Sequence, residues 1–360
     1  MAFVANAPRK RPGKNNNHIR LIMTSGDIIL LGHGSGGQMT HDLIDKIILP
    51  ILQSGSAPTI QEDAALINIP QGKTFFTTDS YVVDPFIFPG GDIGDLAVNG
   101  TINDLAMQGA MPVALSLGLI LEEGLLIEDF KVVLRSISKA AKDAKAPIVC
   151  GDTKVVPRGR GDKIFINTSG VGVAAGTTEI SGANAKAGDK VLLSGTIGDH
   201  GIAIMSQREG LEFDTVIESD TAALHLMVAG LIGANVEIHS MRDPTRGGLA
   251  TTMVELAQSS RISIRLDERS IPISGAVAGA CEILGLDPMH IANEGKMIAI
   301  IKSEDAIRAL EIIARHPRGK DAAIIGEVTG GPPGKVTMTS LVGGSRIINK
   351  MPGELLPRIC

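Results

Sequence analysis

The sequence predicts an α+β protein of two domains. Stretches with the period of strands and stretches with the period of helices are mixed, without the strict alternation of a doubly wound parallel sheet. Strand-like runs occur in hairpin-like pairs, as in "KVTMTSLVGGSRIINK" (335–350), turned at Gly343-Gly344. A second cycle of strand, glycine turn and helix begins at "AKAGDKVLLSGTIGDHGIAIM" (185–205), which puts the domain boundary near 176–188. At 360 residues the chain is long enough for two cores.

The elements follow in order. "DIILLGHGSGG" (27–37) reads as a strand entering a glycine-rich turn, and "MTHDLIDKIILPIL" (39–52) as a helix with Leu43, Ile44, Ile47, Ile48 and Ile51 at helical spacing. "AALINI" (64–69) and "TFFTTDSYVV" (74–83) are strand-like. "IGDLAVNGTINDLAMQGA" (93–110) predicts a helix closed by Gly109. "PVALSLGLIL" (112–121) is a strand, and "IEDFKVVLRSISKAAKDA" (127–144) an amphipathic helix with Ile127, Phe130, Leu134, Ile137 and Ala141 on one side. Strands follow at "APIVCGDTKVV" (146–156) and "KIFINTSGVGVA" (163–174). In the second half come a helix after "DPTRGG", the strand "ISIRL", the helix "GAVAGACEILGL", a strand over 296–301, a helix over 304–315 and the strand "AAIIGEV". The expected organisation is a flexible N-terminal extension over 1–30, an N-terminal domain over 31–178, a C-terminal domain over 179–345 and a mobile tail over 346–360. Pro352, Gly353 and Pro357 bar that tail from regular helix.

Composition excludes several classes. Hydrophobic residues are 44 %, which fits a globular chain. Aromatics are 2 %, with no Trp, and the formal net charge is −5, so nucleic-acid binding through a basic face and stacking platforms is not expected. No window has the roughly 18 apolar residues of a membrane span. The basic stretch "RKRPGKNNNHIR" (9–20) lacks the apolar run and cleavage pattern of a signal peptide. Three widely spaced cysteines, an odd number, fit a reducing, cytoplasmic setting without a disulfide framework. Cys150 and Cys281 lie in apolar runs and are expected in the core.

The motifs point toward phosphate and metal chemistry. "GHGSGG" matches G-x-G-x-x-G through Gly32, Gly34 and Gly37, but the ribose-binding acid of a dinucleotide site is missing; a phosphate-side loop or a plain tight turn are the two readings. No Walker A loop is present. Asp63, Asp79, Asp104 and Asp152 each stand at the end of a predicted element, and such scattered acids suit Mg²⁺ with ATP if the fold brings them together. Singly, each reads as a cap or turn residue. Lys154 shares a strand face with Asp152. Glu294, in "IANEGKM", is a candidate general base if burial raises its pKa. "RDPTRGGLA" and "SGTIGDHG" hold glycine turns that open helices, further possible anion sites. The chain ends in "LPRIC": a thiol on the last residue, Cys360, of a proline-rich arm suggests a swinging carrier.

Together "HGSGGQ", "TTDSYVVDP", "FPGGDIGDLAVNGTINDLAMQGA", "VCGDTKVVPRG", "RDPTRGG", "IANEGKM" and the closing "LPRIC" resemble the hydrogenase maturation (expression/formation) proteins of the aminoimidazole ribonucleotide synthetase-like, ATP-binding family. The likeness runs from about residue 31 to the end of the chain. It implies a two-domain fold in a homodimer whose N-terminal sheets pair into a barrel, with ATP and Mg²⁺ near that interface. It carries Gly34, Gly36, Gly37, Gln38, Asn103 and the four aspartates over as nucleotide contacts, with Asp63, Asp79, Asp104 and Asp152 on the metal. Many relatives have paired aspartates where this chain has Glu62-Asp63. The implied reaction is ATP-dependent dehydration of a carbamoyl group on Cys360, S-carboxamide to thiocyanate, with Glu294 as base and Lys154 balancing charge. The implied partners are the carbamoyltransferase HypF, which loads the sulfur, and a HypC–HypD scaffold that receives cyanide for the iron of [NiFe] hydrogenase.

Three other readings compete. A small-molecule synthetase or kinase of the same fold would consume ATP without needing Cys360. A non-catalytic scaffold would use the tail only to dock a partner. A dinucleotide-binding protein would need the missing ribose-binding acid.

Overall fold

A computed structural model of the chain describes residues 27–53, 63–211, 216–351, 353 and 358–360. Up to residue 26 the expected extension lies outside the described residues, as do residues 352 and 354–357 of the proline-rich arm. After an isolated bridge between Ile28 and Leu126, the chain turns through a 3-10 helix (Leu31–Gly34) into α1 (Gln38–Leu43), which a π-helical turn (Ile44–Ile48) joins to α2 (Leu49–Leu52). The strand expected at 27–37 is thus reduced to one bridge. Next come β1 (Thr74–Tyr81), the short β2 (Ile87–Phe88) and β3 (Gly91–Asp92), α3 (Ile93–Met107), β4 (Ala110–Glu122), α4 (Ile127–Asp143), β5 (Ile148–Val156) and β6 (Ile164–Ala174).

The first sheet runs β1-β6-β4-β5. Only β4 and β5 are parallel, because α4 carries the chain back between them. On α4 the five residues expected to face the core are all buried. α3 is closed at its start by a capping box: the Asp92 carboxylate accepts from the Gly94 amide at 2.7 Å, and Asp95 accepts from the Asp92 amide at 2.7 Å. Its end is the predicted one, with Gly109 at φ +71 just past the last turn. Nearly every residue of α3 is buried, because it lies against the sheet, α4 and the second domain.

The opposite face of this sheet is open. Phe76 on β1 is 70 % exposed and Ile120 on β4 is 42 % exposed. In register with Ser116, Gly118 and Ile120 stand Cys150, Asp152 and Lys154 of the edge strand β5. Cys150 is therefore exposed, against the expectation of a core thiol, since the apolar run around it alternates across a sheet with one face uncovered. Cys281 is buried as expected. The strand expected at 64–69 does not form: Leu66 is 91 % exposed and no strand pairs with this segment among the described residues.

The second domain contains β7 (Lys190–Leu193), α5 (Asp199–Glu209), α6 (His225–Gly233), β8 (Ile238–Arg242), α7 (Gly248–Ser259), β9 (Ser263–Asp267), α8 (Gly275–Leu284), β10 (Ile298–Ile301), α9 (Ala306–Arg315), β11 (Ala323–Thr329), β12 (Val336–Thr339) and β13 (Ser345–Ile348). Its sheet runs β13-β12-β9-β11-β7-β10-β8, parallel only between β12 and β9. Helices cover both faces. On β10, Ile298 and Ile300 pack in one core with α7, and Ala299 and Ile301 in another with α6 and α9. The predicted 335–350 hairpin is β12–β13. None of the helices among the described residues is long and apolar enough to cross a membrane.

Candidate active site

The site lies where the two domains meet, and each side chain in it is set by an element already described. Along β1 the residues that point away from the open face include Thr77, Asp79 and Tyr81. Thr77 Oγ1 donates to Asp104 Oδ2 of α3 at 2.8 Å, which joins strand and helix at one acid. From the second domain "RDPTRGG" leaves β8 and enters α7. Gly247 and Gly248 are both left-handed there, with φ +77 and +62, and a Cβ on Gly248 would lie 2.6 Å from the Ile291 carbonyl. This turn brings Arg242, Asp243 and Arg246 to the cleft, with Arg246 Nη2 4.0 Å from Asp79 Oδ1.

Cys360 and Glu294 close the cavity. It holds about 240 Å³ and is lined by Asp79, Tyr81, Asp104, Asp243, Arg246, Glu294 and Cys360, among others. A second hollow of about 220 Å³ shares Asp104, Arg242 and Asp243 with it and adds Phe75, Leu105 and Met107. Glu294 is 3 % exposed. Its backbone is pinned at both ends: its amide donates to Asp220 Oδ1 at 3.0 Å, and its carbonyl accepts from Asn103 Nδ2 at 3.3 Å. Asp220 is held in turn by Lys296 Nζ at 3.0 Å. The Cys360 sulfur lines the cavity beside the Glu294 carboxyl, and Glu294 Oε1 finds no hydrogen-bond partner among the described residues.

Burial dominates the electrostatics. It lifts the Glu294 carboxyl well above the usual carboxylate range, and the charges of Asp243 and Asp220 add to this. Burial, then the neighbouring Glu294, likewise lifts the Cys360 thiol. The Asp104 carboxyl is raised by burial and by Asp79, and Asp243 is raised to about 7 by burial, Asp104 and Asp79. Asp79, Asp104 and Asp243 present hard oxygens of the kind a cation such as Mg²⁺ takes. Among the described residues, however, no three acids, histidines or cysteines stand close enough to chelate an ion alone. A metal here needs further oxygens, which water and phosphate can supply.

The expected site residues fall into two groups within the chain. Asp79, Asp104, Glu294 and Cys360 converge. Asp152 and Lys154 do not join them: they pair with each other at 2.6 Å on the open sheet face. The loop of Gly34, Gly36, Gly37 and Gln38 lies beside that strand, where a Cβ on Gly34 would come 2.5 Å from the Val155 amide nitrogen. Asp63 is exposed. Asn103, expected as a nucleotide contact, is 1 % exposed; its amide bonds the Ala222 and Glu294 carbonyls and the Leu224 amide, so it orients Glu294 instead. Arg246, Asp243, Asp220 and Tyr81 had no individual signal in the sequence beyond the glycine turn of "RDPTRGG". Arg246, Asp243 and Tyr81 meet across the domain boundary, and Asp220 acts within the second domain on the Glu294 amide.

A two-domain fold with acids and a glycine turn at the domain junction defines a class, and comparison with known proteins agrees. The family described as AIR synthase related protein matches residues 61–174 with its N-terminal domain and residues 186–339 with its C-terminal domain. Within that class the chain belongs to the HypE family of hydrogenase maturation proteins. It is 48 % identical over 341 residues to the carbamoyl dehydratase HypE of Azotobacter vinelandii, covering 95 % of this chain and 99 % of that protein. A crystal structure of hydrogenase maturation protein HypE in complex with ATP superposes with TM-score 0.86 at 46 % identity, over 92 % of this chain and 99 % of the other. HypE in a HypE–HypF complex superposes with TM-score 0.75 at 48 % identity, over 77 % of this chain and 90 % of the other.

Proposed function

We propose that this chain is an ATP-dependent carbamoyl dehydratase that converts an S-carboxamide on its own Cys360 into a thiocyanate. The observation that carries the reading is the Cys360 sulfur in one cavity with buried Glu294 and with Arg246, near enough for their charges to interact. An amide oxygen is a poor leaving group; ATP supplies the phosphoryl group that lets it depart as phosphate. The chain's own residues do the rest. Glu294 removes the amide protons as the C≡N bond forms, and its raised pKa makes it a stronger base than an ordinary carboxylate once it is ionised. Arg246 faces the anionic oxygen that develops beside Asp79. Asp79 and Asp104, with Asp243, would hold Mg²⁺ together with phosphate and water oxygens, and the ion would offset the phosphate charge. The neighbouring hollow, with its apolar side chains and polar rim, suits a nucleotide base.

The docked thiol is poorly placed to accept a carbamoyl group, because the nucleophile is the thiolate and burial opposes it. Loading therefore takes place with the tail outside, on a HypF-type carbamoyltransferase, and cyanide leaves to a HypC–HypD iron scaffold in the cytoplasm. A homodimer fits the open face of the first sheet. Exposed Phe76 and Ile120 call for cover, and closure by a second copy would enclose Asp152 and Lys154, where the lysine balances charge on the phosphoryl oxygens.

Intact mass of the protein tests the reading, after incubation with the carbamoyltransferase and carbamoyl phosphate, before and after Mg-ATP. The expected result is gain of one carbamoyl group, then loss of one water, both absent in Cys360→Ala. ATP hydrolysis that persists in Cys360→Ala without any loading of the native chain would favour a small-molecule synthetase.

A further inference from the structure

The end of the tail is held through main-chain contacts that the sulfur chemistry does not require. The Arg358 carbonyl accepts from the Asp84 amide at 3.2 Å and from Arg208 Nη2 at 2.7 Å. Arg208 also donates to the Asp84 carbonyl, through Nε at 2.9 Å and Nη2 at 2.6 Å, so one guanidinium ties α5 to the loop after β1 and to the tail. The Ile359 carbonyl bonds to His200 Nε2 at 2.8 Å. Its side chain is 3 % exposed and packs in the core of the first domain. Arg358 has φ +54, a left-handed conformation that a residue with a Cβ adopts at a cost and that these bonds hold in place.

His200 is set up as the donor. Its Nδ1 lies 2.8 Å from Ser219 Oγ, and that oxygen already accepts from the Thr221 amide at 3.2 Å. The Ser219 proton is then directed at Nδ1, and the ring carries its own proton on Nε2, toward Ile359. Burial lowers the His200 pKa and keeps the ring neutral. Phe88 meets it edge-on at 5.6 Å between ring centroids.

We propose that His200 and Arg208 are positioning residues that read the backbone of Arg358 and Ile359 and so hold Cys360 at Glu294 whatever group the sulfur carries. This rests on the carrier reading above. A carrier sulfur passes through thiol, carboxamide and thiocyanate, so a contact to the sulfur changes at each stage. Contacts to the two preceding carbonyls stay the same. A socket built on them retains every form of the tail equally and leaves the cavity free to discriminate between them.

The test uses the full chain in a Cys150→Ser background, where Cys360 and buried Cys281 remain. Iodoacetamide alkylation of each is followed by mass spectrometry. His200→Phe keeps the packing against Phe88 and removes the donor; His200→Gln restores an N–H near Nε2; Arg208→Met acts from the other side of the tail. Loss of one hydrogen bond to a docked segment predicts Cys360 alkylation on the order of tenfold faster in His200→Phe and Arg208→Met, with the Cys281 rate unchanged and His200→Gln near the parent. In the loaded protein the same two variants keep carbamoylation but lose water more slowly on addition of Mg-ATP. Unchanged Cys360 alkylation in both, or His200→Gln as fast as His200→Phe, overturns the socket. If the parent chain is never loaded or never loses water, the carrier reading fails instead, and the alkylation rates still decide whether the socket holds the tail.

Discussion

The Cys360 thiol sits beside the Glu294 carboxyl in the cavity, and the two act on each other unequally: Glu294 makes the thiol harder to ionise, while the contact with the thiol favours the ionised carboxyl. Burial is the larger influence on both and opposes the ionisation of each. The sign for catalysis follows. Glu294 must be ionised to take an amide proton, and its pKa in the cavity lies well above the ordinary range, so water loss from loaded protein should rise with pH through that raised value. Single-turnover mass measurements across pH would show an acid limb displaced upward from that of a free glutamate. Glu294→Gln should retain carbamoylation and slow water loss by roughly 10²–10⁴-fold. A profile flat down to the normal carboxylate range would remove Glu294 from the role of base.

Asp104 makes a prediction in which stability and activity part. Burial and Asp79 raise its folded-state pKa, so an ionised Asp104 costs the folded state stability, a cost absent at low pH and growing as pH climbs through the unfolded value. Asp104→Asn removes that cost and can still accept from Thr77 Oγ1. At neutral pH without nucleotide the variant should melt at least as high as the parent. Its requirement for Mg-ATP should rise by about tenfold or more, since one oxygen of the cation's donor set is weakened. Thermal unfolding and Mg-ATP titration of the dehydration step measure the two effects separately.

Much of this was legible in the sequence, and the reasons can be named. α3 was legible from its closing Gly109 and α4 from its helical period: Ile127, Phe130, Leu134, Ile137 and Ala141 all reach the core. The strand at 64–69 failed because an apolar run needs a neighbouring strand, and local pattern carries no information about one. Cys150 was misjudged for a related reason, since apolar neighbours do not reveal that β5 is an edge with an uncovered face. Asp79, Asp104, Glu294 and Cys360 could be singled out individually, but their meeting is a property of the domain junction. Asn103 shows the limit on roles. The family resemblance makes it a nucleotide contact, and in the structure its amide donates to the Glu294 carbonyl.

The open sheet face predicts self-association. Phe76 is 70 % exposed on β1, in register with Val171 of β6. Phe76→Asp puts a charge into the face that a second copy would cover, and burial of an unpaired charge is strongly disfavoured. The monomer loses nothing, because the side chain is already in solvent. Sedimentation should show the parent chain as a dimer and the variant shifted to monomer, with secondary structure unchanged by circular dichroism. A variant that sediments like its parent would exclude this face from the interface.

Asp95 carries a stability prediction away from the chemistry. It completes the capping box of α3 by accepting from the Asp92 amide at 2.7 Å, and burial raises its carboxyl to about 7. At low pH the carboxyl is protonated in both folded and unfolded chains and contributes no pH dependence. Between about pH 4 and 7 the unfolded chain releases the proton while the folded chain keeps it, so stability falls by about 1.4 kcal/mol per pH unit from this group. Above 7 both states are ionised and the loss levels off. Asp95→Asn keeps an oxygen that can accept from the Asp92 amide and cannot titrate. The variant should therefore gain on the parent steadily from pH 4 to 7, with the difference constant above that. Urea unfolding at several pH values would measure it. A difference that does not change with pH would mean that Asp95 titrates alike in folded and unfolded chains, and a variant that loses ground as pH rises through the carboxylate range would mean that the N-terminus of α3 holds the charge in the folded chain; either result overturns the prediction.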